Sequence, residues 1–150
     1  DDTLVGDVRA RAAAATAAEL VGTAGHLLDE TVAYAKVRRQ FGAPIGSFQV
    51  VAHELAGMFV ALETARGAVR HAARRLAAGG DDARRAAHVA KAVATDAAAR
   101  IEASALQLHG GIGFTWEHDL HLWMKRTWSL MAAWGDAEHH WQAVERAVLA

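Results

Sequence analysis

A single proline, Pro44, stands among 150 residues. It lies in the segment Arg38-Arg39-Gln40-Phe41-Gly42-Ala43-Pro44-Ile45-Gly46-Ser47-Phe48-Gln49, between two long alanine-rich stretches. Proline has no amide N–H and clashes with the preceding helical turn. A chain this poor in proline can carry long unbroken helices, and it must interrupt them here. Alanine is abundant and β-branched residues do not cluster at period two, which favours helix over strand. The chain reads as all-α, one domain over residues 1–150.

The spacing predicts a first helix from about Val8 to Arg39, with Leu20, Val21, Ala24, Leu27, Leu28, Thr31 and Ala35 on one face. A second is predicted from Phe48 to Ala78, with Val51, Leu55, Met58, Phe59 and Leu62 inward. Gly79-Gly80-Asp81-Asp82 stops it and caps the next. The third runs from Asp82 to His109 and ends in Gly110-Gly111-Ile112-Gly113. A shorter helix follows from Glu117 to Ala133, and a last one from Asp136 to Leu149. Short connections favour antiparallel neighbours, so the expected architecture is an up-down four-helix bundle with an additional short C-terminal helix.

Net charge is −1, so there is no overall basic field for nucleic acid. Cysteine is absent, which excludes disulfides, thiolate catalysis and cysteine-based metal sites. That usage fits a reducing cytoplasm, the expected compartment. No apolar run reaches the ~18 residues of a membrane span. The chain starts at Asp1, without Met or a signal-like stretch, which points to a fragment or processed form of a longer protein.

A plain turn needs only Gly42 and Pro44. It does not need Arg38, Arg39, Gln40 and Phe41 packed against the break. Arginines at a helix C-terminus suit the dipole, and they can also converge on phosphate. Phe41 and Phe48 could form an apolar wall for a ring. A structural loop and an anion-and-ring site both fit these residues. Gln107, Gly110 and Gly111 raise the same choice, because a helix stop in Gly-Gly also lets a ligand approach bare backbone. Gly111-Ile112-Gly113 follows a helix rather than a strand, so it is not a dinucleotide fingerprint. Five tryptophans lie between Trp116 and Trp141. Most of them read as bulky fill between alanine-lined helices, and some as interface residues. His118, His121 and the His139-His140 pair lack the further ligands of a zinc site, so no metal is expected.

Tyr34-Ala35-Lys36-Val37-Arg38-Arg39-Gln40-Phe41-Gly42, with Pro44-Ile45-Gly46 and Phe48-Gln49, resembles the flavin-contacting segment of acyl-CoA dehydrogenases. Gln107-Leu108-His109-Gly110-Gly111-Ile112-Gly113-Phe114-Thr115-Trp116-Glu117 resembles a second block of the same family, in the right order. The likeness runs from about Ala10 to Ala147 and covers only the family's C-terminal helical domain. It implies FAD as cofactor and an acyl-CoA thioester as substrate. It also implies a homo- or hetero-tetramer and an electron-transfer flavoprotein as electron acceptor. By the same resemblance Arg38 reaches the pyrophosphate of an FAD held mainly by another subunit. Gln40 and Phe41 touch that cofactor beside it, Gln107 and Gly111 meet its adenosine side, and Gly110 belongs to the same cofactor-binding site. Arg39 is read as solvated, and Gln49 as a cap. His121 or His140 near an acyl-CoA phosphate stays open.

The family's reaction removes a proton α to the thioester, which needs a carboxylate in a dry pocket. In many members this is a Glu before a Gly, and the matching residues here are Trp134 and Gly135. In another branch the Glu sits early on the first helix, where Ala12 stands. Neither Trp134 nor Ala12 accepts a proton. Asp136 and Glu19 are the displaced candidates; Glu19 lies roughly two helical turns beyond Ala12 on the same face. A base from a partner chain is the first reading, as in heteromeric actinobacterial relatives. A self-contained enzyme with a displaced base and a non-catalytic helical scaffold are the alternatives.

Overall fold

The computed structural model describes residues 2–80 and 82–149. Its elements are α1 (Asp2–Val37), β1 (Arg39–Gln40), β2 (Ala43–Pro44), α2 (Gln49–Ala78), α3 (Asp82–His109), α4 (Leu120–Ala132) and α5 (Ala137–Leu149). Short 3-10 turns at Ile45–Ser47 and Gly110–Phe114 precede α2 and follow α3. The all-α bundle expected from sequence is the fold observed. Asp81, part of the predicted stop-and-cap, lies outside the described residues, as do Asp1 and Ala150 of the predicted domain.

Several predicted helix ends shift. The first helix starts at Asp2 rather than Val8 and stops at Val37 rather than Arg39. Arg39 and Gln40 leave it to pair with Ala43 and Pro44, a hairpin that periodicity did not reveal. Phe48 is extended and precedes α2 instead of opening it. The fourth helix starts at Leu120 rather than Glu117 and ends one residue early, because the 3-10 turn and the bends after it use up the preceding residues. Asp136 stands just before α5.

On α1, the buried positions Ala10, Ala13, Ala17, Leu20, Ala24, Leu27 and Thr31 alternate steps of three and four. That is the seam of knobs-into-holes packing. Most of these residues are alanine, so backbones come close and α3 fits at the centre, against all four other helices. The hydroxyls of Thr16, Thr23 and Thr31 turn back to carbonyls of their own helix, which satisfies them away from water. Arg84 pairs with Asp7 near the start of α1, and Tyr34 stacks on His109 near its end, so α1 and α3 run parallel. Arg126 on α4 reaches Glu19, and Trp123 stacks on His26, so α4 runs back along α1.

The tryptophans are not core fill. Trp116, Trp123, Trp128, Trp134 and Trp141 are between 37% and 78% exposed in this chain. Close alanine packing leaves no room for an indole, so the tryptophans cover the outside of α4 and its flanks. Trp141 Nε1 donates to Asp96 (2.9 Å), and Lys125 stands 4.5 Å over the Trp116 ring. Among the described residues, no helix is long and apolar enough to cross a membrane.

Candidate functional site

The hairpin after α1 has the register Arg39↔Pro44 and Gln40↔Ala43, with Phe41 and Gly42 at the turn. Both turn residues have positive φ, 50° and 82°. This is the two-residue reversal whose twist matches paired strands. Glycine fits it freely; phenylalanine in the left-handed region costs about 1–3 kcal/mol. The strained ring is 93% exposed and meets Phe48 edge-on at 6.2 Å. Arg39 Nη2 donates to the Gly42 carbonyl (2.6 Å) and braces the turn, while the residue stays exposed to solvent as the sequence suggests. Ile45 N–H donates to the Arg38 carbonyl (2.8 Å), and Ile45 is buried. At Gly46 a Cβ would come within 3.1 Å of the Ala35 carbonyl, so glycine lets the loop close onto α1.

The second block meets the first through one ring pair. Tyr34 and His109 stack at 4.5 Å with 21° between planes. His109 Nδ1–H donates to the Ala105 carbonyl (2.8 Å). Its Nε2 then carries the bare lone pair and has no partner. Burial first, then the nearby His118, hold the ring below its ordinary pKa against the opposing Ala105 bond and Glu30, so it is neutral. Near this stack, Gln40 and Phe41 of the first block and Gln107 of the second line one open groove of about 790 Å³. Ile45, Phe48, Val50, Val51 and Leu108 make most of its walls. Arg38 is exposed at the end of α1 and does not line the groove. Gly110 (φ 62°) and Gly111 lie just past Gln107 with open space at each Cβ position.

Glu54 of α2 and Ser104 of α3 were absent from the sequence reading. Ser104 Oγ–H donates to Glu54 Oε1 (2.5 Å), and both residues line the groove. No motif announces two polar residues that meet across helices.

The turn between α4 and α5 carries the second set of candidates. Trp134 and Gly135 both have positive φ, 60° and 104°. Lys91, fully buried, donates to the Met131 carbonyl (2.9 Å), the Gly135 carbonyl (2.8 Å) and Thr95 Oγ1 (3.2 Å). Burial pulls its pKa from 10.5 down to about 8, and Asp136 opposes that pull. His140 Nε2–H donates to the Trp134 carbonyl (3.0 Å), which leaves Nδ1 to accept from His88 Nδ1–H (2.8 Å). His140 is 1% exposed, so it offers nothing to a surface phosphate. Asp136 Oδ1 accepts from His139 N–H (2.8 Å) and caps α5. Glu19 is held by Arg126 through Nε (2.7 Å) and Nη2. Neither carboxylate lines the groove. Among the described residues no group of His, Asp or Glu is placed to hold a metal ion.

Gly135 has no room for a side chain. A Cβ there would lie 2.6 Å from His139 Cδ2 and 3.0 Å from His140 Nε2, at a backbone angle that side chains rarely adopt. Gly135→Ala is expected to cost about 2 kcal/mol or more, read from urea unfolding.

Residues 10–149 match the acyl-CoA dehydrogenase C-terminal domain family. The chain is similar to acyl-CoA dehydrogenase FadE34 of Mycobacterium tuberculosis, 49% identical over 116 residues, which are 77% of this chain and 16% of that protein. Its fold is similar to the Tcur3481-Tcur3483 steroid ACAD G363A variant, with a TM-score of 0.88 and 31% identity over 91% of this chain and 38% of that one. It is also similar to the ChsE4-ChsE5 complex from Mycobacterium tuberculosis, with a TM-score of 0.89 and 27% identity over 98% of this chain and 39% of that one. The chain thus spans well under half the length of these relatives. It belongs to the acyl-CoA dehydrogenase family and corresponds to that family's C-terminal helical domain.

Proposed function

We propose that this domain supplies flavin contacts, across a subunit interface, to an FAD-dependent enzyme that dehydrogenates an acyl-CoA thioester between its α and β carbons. One observation supports this reading: Gln40-Phe41 and Gln107, far apart in sequence, line one groove, with Arg38 just past the end of α1. The donor set fits a dinucleotide. Apolar walls take a flat ring, amides serve its polar edge, and the exposed guanidinium takes the pyrophosphate outside the groove. Gly110 and Gly111 leave backbone open beside Gln107. When bound, FAD supplies the hydride acceptor.

The base is read as coming from a partner chain. By resemblance, Trp134 matches the position where many members of the family carry a carboxylate, and Ala12 the position used in another branch. The displaced candidates are engaged elsewhere, Asp136 as a helix cap and Glu19 with Arg126. Two similar structures, by their names, pair differently named components, and one is named for steroid chemistry. A heteromeric enzyme on a steroid or fatty acyl thioester, passing electrons to an electron-transfer flavoprotein, agrees with those likenesses.

Arg38→Ala tests the cofactor assignment. Losing a charge-assisted hydrogen bond of about 1.5–3 kcal/mol weakens FAD retention roughly ten- to hundredfold. Equilibrium dialysis against FAD, with circular dichroism to check the fold, reads the effect. Unchanged retention removes Arg38 from the site.

A further inference from the structure

The groove holds one carboxylate, and its surroundings restrict what it can bind. Glu54 sits half-buried among Phe48, Val50, Val51 and Leu108. Ser104, 8% exposed, holds it through Oε1 at 2.5 Å. Oε2 has no hydrogen-bond partner among the described residues. A carboxylate fixed in this way is a preorganised acceptor with one oxygen to offer.

Three consequences follow from the chemistry. A phosphate placed here would meet a negative charge, so a dinucleotide must enter nucleoside first and leave its phosphates outside, toward Arg38. A vicinal ribose diol is best matched by a carboxylate with both oxygens free, and Ser104 occupies one. A single N–H on a flat ring matches what remains, and the aromatic and aliphatic walls suit a base. Carboxylates read exocyclic amines of bases in this manner elsewhere.

We propose that Glu54, positioned by Ser104, accepts a hydrogen bond from the adenine 6-amino group of the bound dinucleotide and so sets the base specificity of the groove. The proposal rests on the FAD reading above and adds a residue and an orientation to it.

The test uses the natural full-length protein, with its partner chain if flavin binding needs one. Flavin is stripped, and FAD is then compared with its hypoxanthine analogue, in which an oxo group replaces the 6-amino group. Wild-type protein is expected to prefer FAD by about tenfold or more. Glu54→Leu is expected to bring that ratio close to one and to weaken FAD itself about tenfold. Glu54→Gln keeps size and folding, and its amide can present either an acceptor or a donor. It is therefore expected to retain FAD while accepting the analogue nearly as well. Arg38→Ala is expected to weaken both dinucleotides alike and leave the ratio unchanged. A Glu54→Gln protein that keeps the wild-type ratio overturns the role of Glu54 and leaves the FAD reading standing. So does wild-type protein that binds both dinucleotides equally. Wild-type protein that binds neither removes the FAD reading, and this inference with it.

Discussion

Replacing Lys91 by methionine should cost the fold about 2–4 kcal/mol, a large share of the stability of a domain this size. Methionine matches the lysine stem in length and greasiness, so α3 keeps its packing. What disappears is the donor group that serves Met131 O, Gly135 O and Thr95 Oγ1. Threonine can turn back to its own helix. The two carbonyls have no such recourse, and a buried acceptor left without a donor costs about 1–3 kcal/mol. The turn between α4 and α5 should loosen first, since Lys91 and His140 both hold its carbonyls. Hydrogen exchange should therefore rise at residues 133–137 more than in α1. The pH dependence carries a signature of its own. Folding lowers the Lys91 pKa from 10.5 to about 8, so between those values the unfolded chain holds a proton that the folded chain does not. Wild-type stability gains a contribution as pH rises through that window and loses it on the way back down. The methionine variant lacks this term, so the gap between the two proteins should widen from pH 8 to pH 10.5. Urea unfolding at a few pH values checks both the loss and its slope.

Acid should unfold this domain earlier than its surface charges would suggest. His140 is buried, and burial together with the neighbouring His88 holds its pKa at about 4, below an ordinary 6.5. Its bond to the Trp134 carbonyl works in the other direction and is outweighed. As pH falls from 6.5 to 4, the unfolded chain takes up a proton that the folded chain refuses, and stability drops by on the order of 3 kcal/mol. His88 and His109 are also held low by burial and add to the same slope. Glu102 runs the other way, because burial raises its carboxyl. Three histidines against one carboxyl leave a net loss on acidification. His140→Gln, whose amide can still donate to Trp134 O, should flatten the slope in this window. Urea midpoints measured from pH 7 to pH 4 on both proteins decide it. A parallel decline in the two would assign the acid sensitivity to other groups.

The long helices were legible because their chemistry is local. Alanine and leucine at steps of three and four build one face, and Pro44 marks the break. Arg38, Gln40, Phe41 and Gln107 were legible as a set only through resemblance to a family; the structure adds that Gln40, Phe41 and Gln107 share a groove. Other features rest on contacts that no local pattern carries. Phe41 is not a residue that suggests a left-handed turn, so the hairpin went unseen. Lys91 sits in an alanine stripe, where a charge ordinarily reads as solvent-facing; only the fold shows that it ends among carbonyls. Glu54 and Ser104 belong to different helices and become a pair only when those helices pack. The tryptophans misled for the opposite reason. Their size suggests core, while a core of alanines excludes them. Exposed aromatic rings of this kind suit contact with a protein neighbour, in keeping with the proposed place of this domain at a subunit interface.

The most direct test of that role is native mass spectrometry of the natural full-length protein, prepared alone and with the product of a neighbouring gene, counting FAD per chain. A domain that contacts flavin in trans and borrows its base should yield flavin only in the mixed assembly, at half an FAD per chain. One FAD per chain in an assembly of this protein alone, or none in either preparation, would contradict the account.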